Sequence, residues 1–159
     1  MKRSLTAGGK LALTVAAYTQ ESFESTSWHD NYIHAMRFIE GPDGAGELHF
    51  YLDHILEWMD GDAHSFRFRI APARLRFVGV INLRIQLDYS STAMGPFQID
   101  DIARRTAERE RYTATIWTIR ATYPDGEIEF EASGCEQDLL SPPLEGDRQR
   151  LTQAERGDA

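Results

Sequence analysis

All five histidines of this 159-residue chain fall between His29 and His64. A concentration of that kind is where metal ligation, acid–base catalysis or a pH switch is sought first. Two stretches carry it. "SWHDNYIHAMRF", residues 27–38, sets Trp28, His29, Asp30 and Asn31 just ahead of an alternating run with Tyr32 and His34. "ELHFYLDHIL", residues 47–56, adds His49, Tyr51, Asp53 and His54. Three chemistries fit these residue types. A divalent metal serving a hydrolase could be held by His34, His49 and Asp53. A general base could be His29 oriented by Asp30, but adjacent strand residues point to opposite faces, so the two cooperate only in a turn. A binding surface could be built from Trp28, His29, Asp30, Tyr32, His34, His49, Tyr51 and Asp53. The bland reading makes Trp28 a core plug, Asp30 and Asn31 backbone hydrogen-bonding partners, and the histidines an ordinary part of a half-polar sheet.

The spacing His-x4-His occurs twice (His29/His34 and His49/His54) without being the helical pairing of zinc proteases, because both stretches read as strand. Which groups meet then depends on register. Pairing Glu40 with Glu47 places His34 opposite Asp53 and leaves Ile33, Ile39, Leu48, Phe50 and Leu52 as a pure apolar face. A slip by one brings His34 to His54, on a face with Met36, Phe38, Leu48, Phe50 and Leu52. The first register is preferred for its cleaner core. No G-x-S-x-G elbow, phosphate-cradling glycine loop, H-E-x-x-H or paired-cysteine motif occurs. Cys135 is the sole cysteine, so it forms no intrachain disulfide, and it reads as a small half-buried residue.

The elements that must position these groups are strands. "YIHAMRFIE", "ELHFYLDHIL", "SFRFRIAP", "ARLRFVGV", "INLRIQLDYS", "RYTATIWTIRATY" and "EIEFEAS" all alternate apolar with polar residues. The fold class expected is mainly β: a single-domain antiparallel β-sandwich or partly closed barrel with little helix. Residues 1–25 are an N-terminal extension open to strand or short helix. Within 97–111, a short strand should run into a charged turn or a helical turn, since Asp101/Arg105 and Arg104/Glu108 are spaced for i,i+4 pairs. The tail 138–159 loses all periodicity and reads as irregular, with one helical turn opening at Thr152, three residues before Glu155. The last hairpin should turn over four residues, Tyr123 to Gly126, with Ile119 beside Phe130 and Arg120 beside Glu129.

A net charge of −8 argues against nucleic acid as partner and suits a basic protein. The basic residues are almost all arginine, and the stripe Arg67, Arg69, Arg74, Arg76 and Arg84 is balanced by Glu127, Glu129 and Glu131. No apolar run reaches transmembrane length, so no membrane association is expected. The start "MKRSLTAGGKLALTVAAYTQ" resembles a signal peptide, but Lys10 and two glycines interrupt its apolar stretch, which favours a cytoplasmic address.

With "SWHDN", "ELHFYLDHILEW", "FRFRIAPARLRFVGV", the pair Trp117 and Ile119, and the closing "LTQAERG", the chain resembles a small family of uncharacterised bacterial β-rich proteins. The likeness runs from about Trp28 to Arg156. Its aromatic-His-Asp opening is also distantly similar to immunity proteins of polymorphic toxin systems. That resemblance implies a non-catalytic protein that binds and blocks a partner, needs no cofactor, and carries no assigned catalytic residues. Tyr51 stands where an aspartate would be looked for. The alternatives remain a metal-dependent hydrolase using the histidine-rich hairpin and a β domain with a small-ligand pocket. Oligomeric state stays open.

Overall fold

The alternating segments do form strands, and every pairing among them is antiparallel. The structure, a computed structural model, describes residues 18–19, 21–62 and 64–157. In chain order the strands are β1 (Tyr18–Thr19), β2 (Tyr32–Glu40), β3 (Gly46–Asp60), β4 (Phe66–Val78), β5 (Ile81–Leu87), β6 (Phe97–Glu108), β7 (Thr113–Tyr123), β8 (Gly126–Glu131), β9 (Gly134–Leu139) and β10 (Leu144–Gly146). They are followed by one helical turn, α1 (Gln153–Arg156). Hydrogen bonding runs β1-β9-β4-β3-β2-β6-β7-β8-β5, with β10 added beside β4. The sheet is mainly β with little helix, as expected, and it does not close into a barrel. No helix among the described residues is long and apolar enough to cross a membrane. Most of the expected extension 1–25 lies outside the described residues. Its described part holds β1 and a 3-10 turn at Phe23–Ser25.

The two halves of the sheet meet through a single narrow hinge, where β2 and β6 pair only at Tyr32–Gln98 and Ile33–Phe97. Their apolar faces pack on each other through aromatic rings. Phe50 of β3 lies 6.4 Å from Phe130 of β8, and Phe77 of β4 lies 5.1 Å from Trp117 of β7. These rings, with Leu48, Leu52, Leu75, Ile99, Ile119 and Ile128, are almost wholly buried. Side chains therefore fill the interior where a ligand-holding barrel would have its cavity.

In the β2–β3 hairpin neither expected register is found. Near the loop Glu40 pairs with Gly46, Phe38 with Leu48 and Met36 with Phe50; a bulge at His34 then shifts the ladder, so that Ile33 pairs with Leu52 and Tyr32 with Asp53. The core wants both Met36 and Ile33, which lie three residues apart and would face opposite ways in a regular strand. One extra residue lets both point inward and throws His34 onto the outer face. Ile39, expected in the core, lies at the exposed loop end.

A second change of face occurs within β4, which absorbs both arginine-rich runs. Ala73, Leu75 and Phe77 belong to the main core, whereas Phe68 and Ile70, of opposite parity, form a smaller cluster with Ile55 and Leu151. The break comes at Ala71-Pro72-Ala73. There β9 has just left the edge of β4 at Ala73, and β10 arrives at Ile70, so a residue without an N–H fits the gap between them. Apolar residues on both faces need two covers, and the C-terminal segment supplies the second. The tail 138–159 is thus not irregular as expected: β9 runs to Leu139, and β10 and α1 follow. The helical turn foreseen at Thr152 is present, with a capping box. Thr152 Oγ1 accepts from the Glu155 N–H, and Glu155 Oε2 accepts from the Thr152 N–H at 2.7 Å.

Residues 97–111 also differ from expectation. β6 is one long strand that pairs with β7 from Gln98–Tyr123 to Glu108–Thr113, interrupted by irregularities around Ile99 and Asp101. Long-range pairing overrides the helical i,i+4 charge spacing. In the β7–β8 hairpin the faces are as expected, but the register slides by two. Ile119 pairs with Ile128, Arg120 with Glu127, and Ala121 with Gly126. Gly126 pairs with Ala121 and Leu87, and only glycine fits there: Gln86 O of β5 approaches so closely that a Cβ would stand 2.0 Å from it, at φ 155°.

Candidate functional site

The WHDN stretch divides into two buried anchors and two residues carried at the surface. Trp28 is 3% exposed. Its ring stacks on Phe23 at 4.9 Å, and its indole N–H donates to Gln137 Oε1 on β9 at 2.8 Å. Phe23 in turn meets Trp117 edge-on at 4.9 Å, so Trp28 and Phe23 bridge the two halves of the sheet beside their narrow hinge. Asn31 is fully buried: its Oδ1 accepts from the Ile55 N–H at 3.1 Å, and its Nδ2 lies 2.8 Å from His54 Nδ1. The backbone beside it exchanges bonds with Ile99 of β6, from Asp30 N–H to Ile99 O and from Ile99 N–H to Asn31 O.

Between the anchors, Asp30 adopts a left-handed backbone at φ 65°, an accessible conformation for aspartate. His29 is carried outward, its side chain 59% exposed. Its Nδ1 is 2.8 Å from Asp100 O, and its Nε2 is 3.6 Å from Asp30 Oδ1. The carbonyl of Asp100 raises the His29 pKa. The charges of Asp30, Asp100 and Asp101 add to that, and partial burial opposes it. Asp30 is itself held by Gln98 Nε2 at 2.8 Å. The turn therefore brings His29 and Asp30 to one side, as the base reading requires. The hydrogen bond that orients the imidazole comes from the Asp100 carbonyl and not from the Asp30 carboxylate.

The other candidates sit on the outer face of β2 and β3, under cover. Asp53 has no exposed surface. It accepts from the Leu151 N–H at 3.1 Å and from Arg156 Nε and Nη2 at 2.9 and 2.6 Å. His34, delivered by the bulge, reaches to 4.0 Å from Asp53, so the expected proximity arises by a different register. Burial lowers the His34 pKa, with the Arg156 and Arg150 charges adding and Asp53 opposing. Tyr51 carries the Arg37 guanidinium over its ring at 5.0 Å, and Tyr32 carries that of Arg150 at 4.8 Å. His49 Nε2 is 2.8 Å from Glu47 Oε2. The ion pairs Arg74–Asp138 (2.8 Å) and Arg76–Glu136 join β4 to β9.

The metal set His34, His49 and Asp53 does not assemble. Among the described residues no three His, Cys, Asp or Glu side chains converge to hold an ion. The physical reason is commitment elsewhere: His49 pairs with Glu47, and Asp53 is bound bidentately by Arg156. His54 lies on the core face beside Asn31, its pKa lowered by burial to about 4. Burial pushes the Cys135 thiol up to about 11, which leaves it inert as a nucleophile at neutral pH.

One node escaped the sequence reading. Glu131, grouped there with Glu127 and Glu129 as the acidic balance to the arginine stripe, is 4% exposed and accepts from Asn82 Nδ2 (3.0 Å), Arg109 Nη2 (2.5 Å) and Tyr112 Oη (2.9 Å). These bonds, Asn82 first, lower its pKa against the effect of burial. They line a surface groove of about 550 Å³ with Arg84, Glu129 and Phe130. Local alternation gives Glu131 the same outward parity as its neighbours, so nothing near it in sequence marks it. Compared with known proteins, the chain matches no family model and no curated protein.

Proposed function

We propose that the protein is a non-catalytic binding protein of the immunity type, meeting a basic protein partner through the turn that carries His29. The observation that supports this is the fate of the candidate groups. Asp53, His34, His49 and His54 are each buried or engaged internally, whereas His29 stands open beside Asp30, Asp100 and Asp101. The side chains of Asp100 and Asp101 are both 54% exposed. Trp28 and Asn31 hold this acidic edge rigid from below, so little ordering entropy remains to be lost on binding. A chain of net charge −8 attracts a basic partner at long range, and the carboxylates beside His29 offer it charge-assisted hydrogen bonds.

The test uses a basic toxin-like protein encoded beside this one, titrated calorimetrically with the wild type and with Asp100→Asn/Asp101→Asn. The double variant should bind at least about tenfold more weakly and with a shallower salt dependence. Wild-type affinity in that variant would defeat the reading. Stoichiometric zinc, manganese or iron in the purified protein would favour the hydrolase alternative instead.

A further inference from the structure

We infer that β5 is a dimer interface, pairing antiparallel with β5 of a second copy about a two-fold axis at Gln86. β5 ends the hydrogen-bonded order of the sheet and has β8 as its neighbour on one side. Two contacts show which way its backbone groups turn. The Asp88 N–H donates to Asp125 O at 3.0 Å, and Gln86 O presses on Gly126. Arg84, Gln86 and Asp88 thus turn their N–H and C=O toward β8. In an antiparallel ladder the residues between them beyond the bulge at Ile81/Arg84, Ile85 and Leu87, turn theirs to the open side. This seven-residue edge contains no proline, and Arg84 is its only charged side chain. Such an edge is a ready template for another strand.

The side chains favour a copy of the same strand. Leu83 and Leu87 pack on the rim of the main core, while Ile85, paired with the fully buried Ile128, stays 41% exposed. The apolar layer is unfinished at this rim. An axis at Gln86 sets Ile85 against Leu87 of the second copy, so that two outward-turned residues exchange hydrogen bonds and extend that layer. On the other face the same axis sets Arg84 against Asp88 of the second copy, twice. Both residues are exposed, and Arg84 makes no ion pair within 4.0 Å among the described residues. Its cross-strand neighbour Glu129 is met by Arg105 at 3.6 Å. An axis at Arg84 would oppose the two arginines, and one at Ile85 would leave both charges unmatched. Charge complementarity therefore selects one register.

Sedimentation of the full chain over about 1–500 µM should show a monomer–dimer equilibrium, with exchange protection at the Ile85 and Leu87 amides rising with dimer fraction. Ile85→Pro removes an outward N–H that β8 does not use, and it should give a folded monomer. Arg84→Asp should weaken dimerisation at least about tenfold, and Arg84→Asp/Asp88→Arg should restore it to within about threefold. Should the proline variant fail to fold, the charge-swap pair decides. A monomer across the whole range overturns the proposal, as does a dimer indifferent to Ile85→Pro or to the charge reversal. Protected Ile85 and Leu87 amides in a dilute monomer would overturn it too, by showing that another part of the chain covers the edge.

Discussion

Arg156→Leu is expected to destabilise the protein by about 3–5 kcal/mol, although the residue lies in a four-residue helical turn near the chain end. The cost arises at Asp53. That carboxylate sits in mid-strand with no exposed surface, and three N–H groups reach it, two of them from Arg156. Charge-assisted bonds contribute roughly 1.5–3 kcal/mol each. The substitution leaves one backbone donor from Leu151 and a histidine at 4.0 Å, too far to replace the guanidinium. Asp53 cannot move, because β3 is paired on both sides. Arg156 is differently placed: its side chain is 9% exposed, and a short rotation of α1 returns it to water. The two single variants should therefore be unequal. Asp53→Leu should cost clearly less than Arg156→Leu, and Asp53→Leu/Arg156→Leu should recover at least about half of the larger loss. Urea unfolding at pH 7, with slopes compared between variants, measures each quantity. A cost below about 1 kcal/mol for Arg156→Leu would mean the pair behaves as an exposed one. Equal single costs would mean that desolvation of Asp53 does not control the site.

Further expectations concern the WHDN turn and the histidines. The His54 pKa of about 4 lies below its unfolded value of about 6.5, so the neutral form is favoured in the fold. Stability from His54 is complete above about pH 6.5 and is lost as pH falls toward 4, by roughly 3 kcal/mol in all; unfolding curves of His54→Gln should lack that share of the acid slope. Trp28→Ala should cost about 3–5 kcal/mol and lower Tm sharply, while His29→Ala should leave Tm almost unchanged, as paired thermal melts will show. His29 has a raised pKa, so its contribution is present below its unfolded pKa and fades as pH rises through the folded value. An NMR titration should place its midpoint above about 6.5, and Asp100→Asn should lower it only partly, because the backbone carbonyl remains.

Period-two alternation over most of the chain was enough to establish an antiparallel β architecture, because a strand buried on one face must alternate. The capping box of Thr152 and Glu155 was equally legible, since its partners lie three residues apart. The contact of His34 with Asp53 was foreseen, but the register behind it was not. A bulge costs one residue of periodicity, and "YIHAMRF" contains apolar side chains of both parities.

What the sequence determined by itself was local: the alternating strand segments, the burial of Trp28 and the capped helical turn. What only the tertiary structure decided was which polar groups are covered. β4 changes its buried face at Ala71-Pro72-Ala73, and that change demands a second cover. The cover comes from residues about 80–100 positions away in the tail, where Leu151 and Arg156 carry no periodic mark. Glu131 is buried by Arg109, Tyr112 and Asn82 for the same reason, while Glu127, four residues away and of the same parity, stays exposed. Alternation reports the direction of a side chain, whereas burial depends on what the rest of the chain lays over it.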